Sequence, residues 1–85
     1  MMSSRQRQEI GQYLVADPEI CHGQPTFKGT RVPVHTVLTF LSMGHSIDEL
    51  LADWPELSHE AIEEAIRLAT DAWVSRYTLP AEVAA

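Results

Sequence analysis

Six carboxylates in the second half of the 85-residue chain are the side chains best able to take part in acid–base chemistry. They form two groups, Asp48, Glu49 and Asp53, then Glu60, Glu63 and Glu64. General acid–base catalysis requires a pocket that shifts the pKa of the catalytic group. These residues lie between apolar positions that recur at helical spacing, which predicts that they face solvent. We therefore expect that they are not catalytic and that the protein is not an enzyme.

Metal and cofactor chemistry has little support in the sequence. The four histidines are His22, His35, His45 and His59. No two of them have the i, i+4 or short-loop spacing that holds zinc, and Cys21 is the only cysteine. The glycines are isolated, so no phosphate-binding or dinucleotide-binding loop is present. We expect no metal and no cofactor.

The segment Gly29-Thr30-Arg31 is the sharpest local feature. One interpretation is a contact loop in which Arg31 and Lys28 reach a phosphate or an acidic partner surface. The other is a structural turn, because glycine is the usual residue where φ is positive. The structural role is favoured for Gly29 and Thr30, whereas both interpretations stay open for Arg31.

The charge balance limits the partners that the chain can bind. The formal net charge is −6, from 12 acidic and six basic residues. Four of the basic residues precede the helical half, namely Arg5, Arg7, Lys28 and Arg31. Nucleic-acid binders usually present a basic face. Any anion-binding surface must therefore come largely from the N-terminal part.

Length and cysteine content indicate one small domain, residues 1–85, in a reducing compartment such as the cytoplasm. A core of this size is marginal, and hairpin strands leave edges to pair, so we expect a homodimer. No apolar run of about 18 residues is present, so we expect no membrane span. The polar start of the chain does not have the pattern of a secretory signal.

The order of elements is two short strands followed by three helices. Glycine and proline punctuate the first part, which predicts a β-hairpin over about residues 12–34, with Pro25 and Pro33 restricted to edge positions. Helical periodicity then covers about residues 34–77, and residues 78–85 are expected to fray. Three short helices joined by tight turns are typical of helix-turn-helix domains.

Each helix carries its own signals. The first helix has apolar Val34, Val37, Leu38 and Leu41 and ends near Gly44. The second begins with a capping box, Ser46 to Glu49, and stops before Pro55. The third begins after Ser58, and its expected buried face is Ile62, Ala65, Ile66, Ala69, Ala72 and Trp73. Core packing is expected for Trp54 and Trp73, with a dimer or partner interface as the alternative.

Residues from about Tyr13 to Trp73 resemble a bacterial family called domain of unknown function 433 (DUF433). The resemblance rests on Asp17-Pro18, Gly23-Gln24-Pro25, Gly29-Thr30-Arg31-Val32-Pro33-Val34, Gly44, Ser46-Ile47-Asp48-Glu49, Pro55 and Leu57-Ser58. His22 departs from the family, which often has a second glycine there. The resemblance implies a mainly α fold, a homeodomain-like, helix-turn-helix three-helix bundle behind a short N-terminal β-hairpin. It also implies an antitoxin that neutralises a small PIN-like ribonuclease toxin.

The charge pattern bears on which partner the domain binds. Acidic residues open both the second and third helices, and carboxylates repel DNA phosphates. We therefore expect operator DNA to bind only weakly to this chain alone. For that reason a helix-turn-helix transcriptional regulator is the alternative function and not the first. The residues expected to contact the partner are Lys28, Arg31, Asp48, Glu49, Glu60, Glu63 and Glu64.

Overall fold

The computed structural model describes residues 6–79 and gives a small antiparallel sheet followed by three helices. The strands are β1 (Gln8–Glu9), β2 (Leu14–Ala16) and β3 (Pro25–Phe27). The helices are α1 (Val34–Ser42), α2 (Ile47–Asp53) and α3 (His59–Tyr77). The predicted mainly helical fold is confirmed. Most of the tail predicted to fray, residues 80–85, lies outside the described residues.

The N-terminal hairpin is one strand larger than the sequence predicted. β2 pairs with β3, with Leu14 opposite Phe27, as the hairpin required. Upstream, β1 adds a third antiparallel strand in the order β1-β2-β3. β1 contains two exposed polar residues, so it has no alternation of apolar and polar residues that would have predicted it. Pro25, which lacks an N–H group, lies on an edge strand as expected.

The stretch between β2 and β3 contains a turn with left-handed backbone conformation. Cys21, His22 and Gly23 have φ values of 50°, 60° and 85°. His22, the position where the related family often has glycine, therefore adopts a backbone conformation that glycine tolerates best. The Gly23 N–H donates to the carbonyl of Ile20, which fixes the turn.

The helix ends follow the predicted signals. The Ser46 hydroxyl accepts from the Glu49 N–H at 3.1 Å, and the Glu49 carboxylate accepts from the Ser46 N–H at 2.8 Å. This reciprocal pair is the predicted capping box. The Ser58 hydroxyl accepts from the Ala61 N–H at 3.1 Å and caps α3. Gly44, with φ of 100°, follows the end of α1 in the left-handed conformation expected of it.

The core joins the sheet to the three helices but uses only the first part of α3. Its members are Leu14, Phe27, Val32, Val34, Val37, Leu50, Leu57, Ala61, Ile62 and Ala65. Trp54 packs against this core as predicted. The predicted buried face of α3 is wrong after Ala65, because Ile66, Ala69, Ala72 and Trp73 are exposed. A 19-residue helix is about 28 Å long, and α1 and α2, with nine and seven residues, do not cover its second half.

Within residues 6–79, no helix has both the length and the apolar content needed to cross a membrane.

Candidate functional site

The loop between β3 and α1 is a tight turn fixed by its own residues. The Thr30 N–H and the Thr30 hydroxyl both donate to the carbonyl of Phe27, at 3.1 and 2.8 Å. The same hydroxyl accepts from the Val32 N–H at 3.0 Å. Gly29 has φ of +78°, the value that the third residue of a type II turn needs. Gly29 and Thr30 therefore have the structural roles that the sequence favoured.

Lys28 and Arg31 lie on this turn but differ in their partners. The Lys28 ammonium pairs with the Glu9 carboxylate, which also accepts from the Arg7 guanidinium at 3.1 Å. The Lys28 hydrogen bond holds the pKa of Glu9 below its ordinary value, and Arg7 acts in the same direction. Arg31 is exposed, and no side chain in residues 6–79 pairs with its guanidinium. Of the two, Arg31 is the cation available to a partner.

Glu64 contradicts the prediction that it faces solvent and contacts a partner. It is buried, with 7% of its surface exposed. Its two carboxylate oxygens accept from the backbone N–H groups of Gln12 at 2.9 Å and Tyr13 at 2.8 Å. Gly11 leaves room for this arrangement, because a Cβ there would lie 2.8 Å from the carboxylate. Glu64 therefore ties α3 to the turn before β2.

The pKa of Glu64 reflects these contacts. Burial is the largest influence and raises the pKa, because it disfavours the charged form. The N–H groups of Tyr13 and Gln12, together with the charges of Arg67 and Lys28, outweigh burial and lower the pKa below its ordinary value of 4.5. The Arg67 guanidinium lies 3.7 Å from the carboxylate. The ionised form of Glu64 is thus the form that the fold stabilises.

The other predicted carboxylates, Asp48, Glu49, Glu60 and Glu63, are exposed. Two further exposed carboxylates lie between them in the sequence, Asp53 at the end of α2 and Glu56 in the α2–α3 turn. We refer to these six residues as the acidic surface. Glu56 was missing from the sequence prediction because it has no place in a helical pattern, and only its exposure identifies it.

Two members of the acidic surface already have local partners. Glu49 completes the cap of α2 and lies 3.8 Å from the His45 ring nitrogen. Glu63 lies 3.3 Å from the His59 ring nitrogen, one turn earlier in α3. The six members extend from α2 through the α2–α3 turn into the start of α3. The acidic surface is therefore a distributed field of charge and not a single clustered site.

The negative charge of the acidic surface is not offset by lysine or arginine in the middle of the sequence. Residues 32–66 contain seven acidic residues, the six of the acidic surface and Glu64, and no lysine or arginine. Exposed carboxylates without neighbouring cations create a negative potential that attracts basic molecules and repels phosphates. The arrangement suits recognition of a cationic surface.

A second exposed feature lies on the C-terminal half of α3. We call Ile66, Ala69, Trp73, Val74 and Tyr77 the apolar stripe, since their spacing of three or four residues puts them on one side of the helix. Trp73 is 65% and Tyr77 58% exposed. Their rings contact each other at a centroid distance of 4.4 Å, and the Arg76 guanidinium lies 5.6 Å from the Tyr77 ring centroid.

Residues 6–79 enclose no pocket, and no three of their His, Cys, Asp or Glu side chains come together as metal ligands would. The described residues instead present the acidic surface and the apolar stripe. These are the features by which one protein domain binds another macromolecule.

Fold and surface together define a small helical domain with a three-stranded sheet and exposed carboxylates on α2, on the α2–α3 turn and at the start of α3. A profile of the family described as protein of unknown function (DUF433) matches residues 14–69. The chain therefore belongs to the DUF433 family, which the Gly-Thr-Arg-Val-Pro-Val segment had indicated.

Two other proteins are similar to this chain. The uncharacterized protein y4eO of Sinorhizobium fredii (strain NBRC 101917 / NGR234) is 40% identical over 52 residues, which is 61% of this chain and 24% of that protein. The crystal structure of a DUF433 member from Anabaena variabilis ATCC 29413 is similar with a TM-score of 0.66 and 29% identity. That similarity covers 75% of this chain and 65% of the Anabaena chain. The match thus spans about a quarter of one relative and two thirds of the other.

Proposed function

We propose that this chain is an antitoxin-like protein that binds a small, basic, nuclease-like protein and masks the surface with which that partner holds RNA. The observation that carries the proposal is the acidic surface, six exposed carboxylates in a stretch that has no lysine or arginine. A surface built to hold RNA phosphates is cationic, so the two potentials are complementary. The lone thiol of Cys21 supports action in the cytoplasm, and a binding role needs no catalytic group.

Burial of Glu64 reduces the set of residues proposed to contact the partner. Its carboxylate is occupied by two backbone N–H groups, so it does not belong to the partner-binding set. Asp48 and Glu60 are exposed and have no ion-pair partner in the part of the chain that the structure describes. Asp53 and Glu56 are likewise exposed without such a partner, so these four are the carboxylates most available to a cation of the partner. Arg31 is a candidate anchor for an acidic group at the rim of the same complex.

The alternative function is a DNA-binding regulator, and the order α2, turn, α3 is the observation that favours it. In that arrangement the start of α3 enters the major groove. Here it presents Glu60 and Glu63, and α2 presents Asp48 and Glu49. Only three Lys or Arg residues precede residue 66 in the described chain, namely Arg7, Lys28 and Arg31. Phosphate contacts supply most of the affinity for DNA, so the charge distribution favours a protein partner.

Co-purification from the native host tests the proposal. A tagged chain is expected to retain a basic, nuclease-like protein in stoichiometric amount. Removal of the tagged chain from the complex should restore RNA cleavage by that partner, because the masked surface becomes free. Recovery of the chain without any nuclease-like protein, or a complex that cleaves RNA at the rate of the free partner, would contradict the proposal.

A further inference from the structure

The apolar stripe has no partner within residues 6–79, although it contains the largest exposed side chains of α3. Trp73 is 65%, Tyr77 58% and Val74 52% exposed, and Leu79 beyond the helix is 62% exposed. Tryptophan, tyrosine and arginine are the residues that most often dominate binding energy at protein interfaces. Here Trp73, Arg76 and Tyr77 lie together. The stripe therefore has the composition of an interface centre.

Charge distinguishes between two occupants of the stripe. Residues 66–79 carry Arg67, Arg76 and Asp71, a net charge of +1. Residues 6–65 carry ten acidic and three basic residues, a net charge of −7. A basic partner is attracted to residues 6–65, which carry the negative charge, and not to residues 66–79. Two copies of the chain repel each other most strongly through residues 32–65, which carry seven acidic residues and no lysine or arginine, and little at the nearly neutral second half of α3, so a second copy is an occupant that fits there.

The exposed area is sufficient for a dimer. A buried aromatic side chain removes about 150–250 Å² from water, so the exposed parts of Trp73 and Tyr77 amount to roughly 100–150 Å² each. With Ile66, Val74 and Leu79, each copy offers on the order of 500–600 Å², or about 1,000–1,200 Å² for the pair. That total reaches the lower range of specific protein interfaces.

The sequence suggested that two copies pair through the edges of the sheet. These edges offer a second copy a weaker surface than the apolar stripe does. The outer side of β3 is occupied, because the Phe27 N–H donates to the carbonyl of Val32 at 3.2 Å and Thr26 is bridged to Pro33. The opposite edge strand, β1, has two residues. Neither edge presents a long unpaired row of backbone groups.

We propose that two copies of the chain associate through the apolar stripe, with Trp73 and Tyr77 of each copy at the centre of the interface. The contact leaves the acidic surface of both copies exposed. A dimer of this kind adds apolar burial to a domain whose own core involves only the first part of α3. The proposal goes beyond the antitoxin-like function, since it holds whatever the partner of the acidic surface is.

Sedimentation equilibrium of the full chain tests the proposal. The wild type should have the mass of a dimer at micromolar concentration, and Trp73→Glu should raise the dimer dissociation constant by at least about 30-fold, the scale of a hot-spot residue. Met43→Glu is the matched control, because Met43 is also 65% exposed but lies at the end of α1. It should leave the dimer intact. Circular dichroism should give both variants wild-type helical content, because neither side chain belongs to the core.

Fluorescence of Trp73 supplies a second measurement, with Trp54→Phe removing the other tryptophan. On dilution through the dissociation constant, the emission should move to longer wavelength as Trp73 returns to water. A wild-type monomer at tens of micromolar, a Trp73→Glu variant that stays dimeric, or a Met43→Glu variant that dissociates would each overturn the proposal. Loss of a nuclease-like partner from a Trp73→Glu variant that is still dimeric would assign the stripe to that partner instead.

Discussion

At the scale of single residues, Glu64 is the ionisable group that the fold depends on most. Its carboxylate accepts two backbone N–H groups that lie 52 and 51 residues away in the sequence, at Gln12 and Tyr13. A buried N–H that loses its acceptor costs the free energy of its lost hydration. Glu64 thus satisfies two donors at once and fixes the turn before β2 on α3.

Replacing Glu64 with glutamine should lower the free energy of unfolding by about 1–3 kcal/mol at pH 7, because an amide presents only one acceptor oxygen to two donors. The folded-state pKa is lowered, so ionised Glu64 stabilises the fold above about pH 4.5 and this contribution is lost as the pH falls through the folded pKa. The difference between wild type and Glu64→Gln should therefore shrink as the pH falls below 4.5 and through the folded-state pKa of Glu64. Urea unfolding at several pH values measures it.

Gly11→Ala is the companion change, because its Cβ would lie 2.8 Å from the Glu64 carboxylate and displace it. Gly11→Ala in the Glu64→Gln background should cost less than in the wild type, since the two changes disrupt the same contact. Equal stability of wild type and Glu64→Gln at pH 7 would show that the two N–H groups are satisfied in another way.

At the scale of elements, the turn between β3 and α1 depends on backbone conformation more than on packing. Gly29 has φ of +78°, and no atom outside Gly29 and its two chain neighbours lies within 4 Å of the place where a Cβ would be. A side chain at this position would meet no neighbour, so only the backbone conformation opposes it. β-branched residues are strongly disfavoured at positive φ, whereas asparagine tolerates it.

Gly29→Val should therefore destabilise the fold by at least about 1 kcal/mol, and Gly29→Asn by less. Denaturant unfolding of the three proteins gives the comparison, with an unchanged slope indicating an unchanged unfolding reaction. Equal midpoints for glycine and valine would contradict the role of φ at this turn.

The sequence predicted those elements whose signals are local. The caps at Ser46 and Ser58 and the glycines at 29 and 44 each depend on a few neighbouring residues, and the structure contains all four. β1 was missed because two polar residues give no periodic signal. The burial of Glu64 and the exposure of Trp73 depend on which distant element covers α3, and helical periodicity does not contain that information. Exposure was predicted for every member of the acidic surface except Glu56, since charge is read directly from composition. Asp53 was expected to face solvent but was not among the predicted partner contacts.

At the scale of the whole molecule, electrostatics separates the two candidate functions. The net charge is −6, and the helices that would enter a DNA groove carry carboxylates at their N-terminal ends. Repulsion from phosphates opposes binding at every DNA sequence. The same charges accelerate encounter with a basic protein.

We expect the isolated protein to bind duplex DNA no more tightly than the roughly micromolar range of non-specific binding at physiological salt. Fluorescence anisotropy with operator-length duplexes from the upstream region of its own gene measures this affinity. Nanomolar, sequence-selective binding with a steep decrease at higher salt would instead support the regulator.

The most direct test of the proposed function is the association rate of the chain with its basic, nuclease-like partner, measured over a range of salt concentrations. Glu60→Lys/Glu63→Lys should slow association by about tenfold or more and flatten its salt dependence, because it reverses part of the acidic surface. Asp71→Lys, an exposed reversal later in α3, should have a much smaller effect. If both variants associate at the wild-type rate while Arg31→Ala abolishes the complex, the acidic surface does not hold the partner and the Arg31 turn does.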